Sequence, residues 1–176
     1  MYLNNEIQIF GRIVENTGII YEGEIKNSEK HGKGKQIDLI NNTKYIGEFK
    51  NNQKDGFGHF EFGSGYYSGF FVEDKITGRG YIENSEFSYV GFFIDRLMNG
   101  FGEKKYKDNR CYKGNFKDGK FEGYGQFIWP DGRIYTGMYK NDMKHGEGWI
   151  KEHDSSKIFG EWYKGRMIKT KKNEIL

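Results

Sequence analysis

Apolar and polar positions alternate with a period of two along most of the chain, the signature of strands with two unlike faces. Ile7, Ile9, Gly11 and Ile13 alternate with polar or smaller residues, Asn16-Thr17-Gly18 supplies turn chemistry, and Ile19, Tyr21, Gly23 and Ile25 alternate again. This spacing predicts a β-hairpin. The same pattern recurs most cleanly over 112–134, YKGNFKDGKFEGYGQFIWPDGRI, where Tyr112 is followed by Gly114, Phe116, the G-x-G of Gly123 and Gly125, then Phe127 and Trp129.

Six full copies start at Tyr21, Tyr45, Tyr67, Tyr89, Tyr112 and Tyr135, and an incomplete seventh starts at Ile158, with a period of 22 to 24 residues. Every copy has glycine at +2, and at +4 stand Ile25, Phe49, Phe71, Phe93, Phe116, Tyr139 and Trp162. The first glycine of the G-x-G falls at +11 in each full copy. The first hairpin of a copy therefore has constant length, and the variation lies in a later segment read as a loose surface loop.

Taken on the second copy, the expected pairing sets Phe49 opposite Gly56, Gly47 opposite Gly58 and Tyr45 opposite Phe60, across a turn of about six residues at 50–55. Each aromatic then lies over a bare glycine, which lets a ring rest on the backbone. A lone hairpin is marginal in water, so each copy needs its neighbours.

Composition sharpens this picture. Only 35% of the 176 residues are hydrophobic and 30% are charged, yet 18% are aromatic and there is no alanine. Disordered chains lack aromatics, and helices favour alanine, so the chain reads as folded and almost wholly β. A net charge of +3 with interleaved signs gives no body-wide field for nucleic acid. No apolar run is long enough for a transmembrane helix and residues 1–10 lack a secretory pattern, which together with the single Cys111 points to an intracellular setting.

The Y-x-G-x-F spacing followed by G-x-G over about residues 9–164 resembles the MORN (membrane occupation and recognition nexus) repeat. Departures are Ile158 for the leading tyrosine, Ile25 for the aromatic, and Thr77 and Asn99 before the G-x-G. The resemblance implies an all-β fold, an elongated single-layer array of stacked antiparallel β-hairpins, serving as a scaffold in cytoskeletal, ciliary or membrane-associated assemblies. Independently, strands spaced by about 4.8 Å predict a rod of roughly 60–70 Å with extended surface rather than a closed pocket. The organisation expected is a capping half repeat at 1–20, the array at 21–164 and a basic tail at 165–176.

Chemical motifs are sparse. The G-x-G elements lack the strand-to-helix context of a phosphate loop; His31, His59, His145 and His153 lack metal-ligand spacing; and Cys111 reads as a small apolar filler. No catalytic, cofactor or metal site is expected, and Glu22, Glu24, Glu48 and Asp55 are expected to face water.

Two surfaces break the repeat. On the face opposite the leading tyrosine, +3 is Glu24, Glu48, Asn115 and Glu161 in four copies but Phe70 and Phe92 in the third and fourth; Val90, Phe57 and Phe101 are expected to join them in an apolar patch. Such a patch suits a docked helix or extended peptide, unless a terminal segment or sheet twist covers it. Lys164, Arg166, Lys169, Lys171 and Lys172, interspersed with Met167 and Ile168, form a basic cluster that suits an anionic lipid headgroup or acidic protein tail, or else is solvated. The expected role is a non-catalytic adaptor bound to proteins of a cytoskeletal assembly, in cilium, axoneme or cortical pellicle, with a peripheral membrane module as the alternative. The sheet edges leave end-to-end pairing open.

Overall fold

The structure, a computed structural model, describes residues 8–171. The chain divides into two units, Met1–Asn84 and Ser85–Leu176. In the first, the described strands are β1 (Gln8–Val14), β2 (Ile19–Lys26), β3 (Glu29–Asp38), β4 (Thr43–Lys50), β5 (Gln53–Phe62), β6 (Gly65–Val72) and β7 (Lys75–Glu83). In the second they are β8 (Phe87–Ile94), β9 (Leu97–Tyr106), β10 (Cys111–Lys117), β11 (Lys120–Ile128), β12 (Ile134–Lys140), β13 (Met143–Lys151), β14 (Lys157–Tyr163) and β15 (Arg166–Lys171). Within each unit every strand pairs antiparallel with its neighbours in chain order. Each unit is thus an array of β-hairpins.

The tyrosine and glycine pairings fall where the alternation puts them: Tyr45 opposes Phe60 and Gly47 opposes Gly58. The aromatic at +4 does not. Phe49 opposes Lys54 inside its own hairpin, while Gly56 opposes Phe71 of the following copy. The cause is the turn, which is two residues long rather than about six. Asn51 and Asn52 both adopt left-handed backbone, with φ of 50° and 69°, the conformation of a tight primed hairpin turn that matches strand twist. The surplus residues enter β5 as a bulge between Gly47 and Phe49. Gly56 sits in that bulge at a φ of 111°, which is why the first glycine of the G-x-G is a glycine.

The leading tyrosine is the centre of each copy. Its ring lies across two glycines: a Cβ at Gly58 would overlap the Tyr45 ring, and one at Gly47 would come within 2.6 Å of the Gly58 Cα. The hydroxyl then donates to the carbonyl at +3, Tyr45 to Glu48 at 2.9 Å and Tyr112 to Asn115 at 2.9 Å. A buried phenol must satisfy its O–H, and here the repeat supplies the acceptor. Tyr21, Tyr45, Tyr67, Tyr89, Tyr112 and Tyr135 are all at most 1% exposed.

Aromatic rings at +4 stitch copy to copy. Phe49 meets Tyr45 and Tyr21 edge-on, each at 5.0 Å, and in the second unit Tyr139 meets Tyr135 at 5.3 Å and Tyr112 at 5.2 Å. Each such pair contributes about 0.5–1.5 kcal/mol beyond area burial. The position at +9 covers the tyrosine from the second strand: Phe121 stacks on Tyr112 at 3.7 Å, whereas Lys54 and Lys144 place ammonium groups 5.6 Å and 4.9 Å from the Tyr45 and Tyr135 rings.

A polar clip also joins neighbouring copies. The second turn residue, Asn52, accepts from the Lys30 N–H at 2.9 Å through Oδ1 and donates its own N–H to the Lys30 carbonyl at 3.0 Å. Asp74 does the same with Lys54, and Asp142 with Phe121. The segments after the G-x-G are less loose than their varied length suggests. Trp129 and Arg133 close one of them backbone to backbone at 3.0 Å, and Asp131 accepts from Arg133 through both its backbone and its guanidinium.

Candidate partner-binding face

Tyrosine, glycine and the +4 aromatic use one face of each strand, so +1, +3 and the middle of the G-x-G project from the other. The bulge gives +3 a structural task. The Glu48 carboxylate accepts from the Phe57 N–H at 3.3 Å, Glu24 accepts from the Lys33 N–H at 2.9 Å, and Asn115 donates to the Tyr124 carbonyl at 3.3 Å. Of the acids expected to face water, Glu24 and Glu48 therefore brace the bulge, Asp55 accepts weakly from the Glu73 N–H at 3.4 Å, and Glu22 lies 3.6 Å from Arg12.

Phenylalanine at +3 cannot make that bond. In the first unit Phe70 stands directly opposite Phe57, the rings meeting edge-on at 5.6 Å, and the two remain 48% and 52% exposed. In the second unit Phe92, Phe101 and Val90 are likewise exposed, opposite Asn99, Asn115 and Glu103 respectively. Each unit thus presents apolar side chains on a face that elsewhere carries charge.

The same rule applied to every copy finds a pair that the contrast of Phe70 and Phe92 with Glu24, Glu48, Asn115 and Glu161 leaves out. Met138 occupies +3 in the sixth copy and stands opposite Tyr124, the middle residue of the preceding G-x-G; both are exposed. Beside them Thr136, Trp149 and Phe159 lie in register across β12, β13 and β14. Trp149 and Phe159 are half-buried with ring centroids 6.4 Å apart, and the Lys157 ammonium lies 4.6 Å over the indole. Between these two rows runs a shallow trough of about 300 Å³ floored by Gly137, Gly148 and Gly160. In the first unit a larger groove of about 570 Å³ lies between Phe10, Ile46 and Phe57. Neither Phe10 nor Ile46 was marked by the repeat comparison, because a side chain in an allowed class at +1 or outside a full copy breaks no pattern.

A polar cluster occupies the same face of the first unit. His59 Nδ1 lies 2.7 Å from Ser68 Oγ and Nε2 lies 3.6 Å from Glu61, whose carboxyl is held below its ordinary range by the Lys44 ammonium at 2.8 Å. The neighbouring backbone N–H groups belong to the strand ladder, so no pair of donors is aimed at a reacting oxygen. Cys111 is half-buried with its thiol pushed up by burial and Sγ 3.9 Å from Glu103.

The basic segment forms part of a strand. Lys164 sits in the turn before β15 with its ammonium 5.4 Å over the Tyr163 ring, Arg166 opposes Tyr163, and Lys169 opposes Glu161. Lys164, Arg166, Lys169, Met167 and Ile168 are exposed. Lys171 closes the strand without a described side chain, and Lys172 lies outside the described residues.

Stacked hairpins with tyrosine over glycine and a fixed bulge define a β-hairpin repeat protein. The family model for the MORN repeat matches residues 21–38, 45–65, 67–82, 112–132 and 135–151, more than half of the chain, and the chain belongs to that family. The copy starting at Tyr89 falls outside the matched segments yet has the same construction, with Tyr89 fully buried and its hydroxyl donating to the Phe92 carbonyl at 3.1 Å. No curated protein matches the sequence. Among solved structures, the SAS-4 (dCPAP) TCP domain in complex with a proline-rich motif of Ana2 (dSTIL) of Drosophila melanogaster is similar at 9% identity and a TM-score of 0.47, over 87% of this chain and 90% of that one.

Proposed function

We propose that the protein is a non-catalytic scaffold or adaptor that binds other proteins through the outward faces of its hairpin units. One observation supports this reading above others. At +3, where Glu24, Glu48 and Asn115 brace a bulge, Phe70 and Phe92 give up that hydrogen bond and leave about half of each side chain exposed. A bare ring that also forgoes a structural bond favours a surface kept for contact. The partners belong, on this reading, to the cytoskeletal or ciliary assemblies that the family resemblance implies.

Changing Phe70 and Phe92 together to Ser tests it. Proximity labelling of cells should lose the neighbours that the wild type marks, while circular dichroism of the purified variant stays unchanged. An identical neighbour set would overturn the assignment of these residues.

A second reading, a peripheral membrane module, is favoured by the exposed Lys164, Arg166 and Lys169 beside exposed Met167 and Ile168. Lys171 and Lys172 complete the cluster in sequence. Flotation with vesicles containing phosphatidylserine, compared with neutral vesicles, distinguishes the two: no difference between vesicle types eliminates the membrane reading.

A further inference from the structure

We propose that the open edge of β1 is a self-association surface, on which β1 of a second copy pairs antiparallel with Gly11 on the two-fold axis. This surface is separate from Phe70 and Phe92, so either assignment can fail without the other.

The direction of the backbone comes first. Successive positions of an antiparallel strand point their N–H and C=O groups to opposite sides. The Glu15 N–H donates to the Ile19 carbonyl at 2.8 Å, so Ile9, Gly11 and Ile13 turn toward β2, while Phe10, Arg12 and Val14 turn their backbone groups the other way. Among the described residues, no strand stands on that side. Edge groups left in this state are a template for another chain.

The edge also lacks the devices that blunt one. Ile9, Phe10 and Val14 are 53%, 81% and 65% exposed, and Arg12 is the one charge in residues 8–14. The full copies hold a bulge glycine of positive φ at the position where β1 has Ile9, in ordinary strand backbone, so the open side is not bent away. By contrast β15 carries Arg166, Lys169 and Lys171 and a bulge in its pairing with β14, which disfavours an added strand.

Self-complementarity then selects the occupant. In the first unit glycine stands against glycine from strand to strand, Gly11 with Gly23, Gly23 with Gly34, Gly34 with Gly47 and Gly47 with Gly58. Inside a hairpin that pair is close: a Cβ on Gly23 would lie 2.5 Å from the Gly34 Cα. Close and hydrogen-bonded pairs alternate across the strands, so the open side of Gly11 is again a close position. A strand that continues the ladder brings a glycine there, and the partner's Gly11 supplies it.

With Gly11 on the axis, Ile9 faces the partner's Ile13 on the inner face and Phe10 faces the partner's Arg12 on the outer face, and symmetry makes each contact twice. Apolar pairs and a guanidinium over a ring are both favourable across strands. An axis at Arg12 would set Arg12 against the partner's Arg12, an axis between two residues would set inner side chains against outer ones, and an axis at Phe10 would shorten the overlap. The Gly11 register alone pairs all of β1 without like charges opposed.

The test uses the full chain. Sedimentation velocity over about 1–100 μM, a range suited to a contact smaller than a standard interface, should show a monomer passing to a dimer. Arg12→Pro removes an outward N–H and leaves the β2 side of the ladder paired, and Phe10→Lys opposes like charges across the axis. Each should weaken the dimer about tenfold or more with circular dichroism unchanged. Gly11→Cys combined with Cys111→Ser should form a disulfide between copies in a redox buffer, because a close antiparallel pair meets disulfide geometry. The added Cβ meets only the far end of the Ile25 side chain, at 2.9 Å. Arg12→Cys combined with Cys111→Ser places the two thiols on a diagonal and should cross-link far less. Phe70→Ser with Phe92→Ser should leave the dimer as it is. A monomer at every concentration, a dimer indifferent to both edge variants, cross-linking through Arg12→Cys rather than Gly11→Cys, or loss of the dimer on changing Phe70 and Phe92 would each overturn the proposal.

Discussion

The hydroxyl of Tyr112 donates to the carbonyl of Asn115 at 2.9 Å, three residues ahead on the same strand. Because the ring passes over Gly114 and Gly125 to reach it, one bond ties the leading tyrosine, both glycine positions and the start of the bulge into a single unit. Tyr112→Phe keeps the packing and leaves that carbonyl without the phenol, at a cost of about 0.5–1.5 kcal/mol. Tyr112→Ala empties the site and costs about 3–5 kcal/mol. Urea denaturation of the two variants should separate them in that order, and equal midpoints would show that the hydroxyl contributes nothing.

Glycines of one repeat differ in what they tolerate. Gly123, at a φ of 71°, lies in left-handed backbone, so Gly123→Ala should destabilise by about 1–2 kcal/mol. Gly58 has ordinary φ but lies under the Tyr45 ring, and Gly58→Ala should cost more, since neither ring nor backbone can withdraw. Gly63 has nothing within 4 Å and no positive φ; Gly63→Ala should be neutral or stabilising by up to about 1 kcal/mol. Melting temperatures of the three variants check the ranking.

The clip between copies can be removed and added. Asp142→Ala loses the bond to the Phe121 N–H at 2.8 Å and should lower stability by about 1 kcal/mol. Gly119 holds the same turn position at a φ of 82° but makes only the backbone half of the clip, to the Met98 carbonyl at 2.9 Å. Gly119→Asn supplies the missing acceptor in a backbone conformation asparagine accepts, and should raise the melting temperature.

Alkaline pH should unfold the array through its tyrosines. Burial pushes Tyr67, Tyr89 and Tyr135 up to about 12. A folded-state value above the unfolded one, ordinarily about 10, means the folded form holds the proton more tightly. The stabilisation is complete below the unfolded value and is lost as pH rises through about 10 to 12. Circular dichroism and tyrosinate absorbance should change together across that window; early ionisation with an intact sheet would contradict the burial.

The repeat carries its own evidence for which face is which. Period-two alternation placed Tyr45 against Phe60 and Gly47 against Gly58, and both pairings hold. It also put Phe57 and Phe70 on the outer face. It misplaced Phe49 by treating residues 50–55 as one turn, because nothing in a list of polar residues distinguishes a six-residue loop from a two-residue turn followed by a bulge. The left-handed pair Asn51 and Asn52 makes that choice. Met138 and Tyr124 were legible by the rule that marked Phe70, but the trough beside them was not, since its floor of Gly137, Gly148 and Gly160 uses positions that are glycine in every copy and so marks none of them.

What the amino-acid order determined by itself is the period, the hairpins and the two-faced character of each strand, because side-chain direction in a strand depends only on counting by two. The tertiary structure decided the bulge, the acceptor that lets Tyr112 be buried, and the use of Phe49 and Tyr139 as edge-on contacts between copies. Those depend on φ choices at two turn residues and on rings brought together from more than twenty positions away, a distance over which alternation holds no information. Tyr112 is a tyrosine because its ring fits over two glycines, and the carbonyl that accepts its hydroxyl becomes visible only once the strand is bent around it.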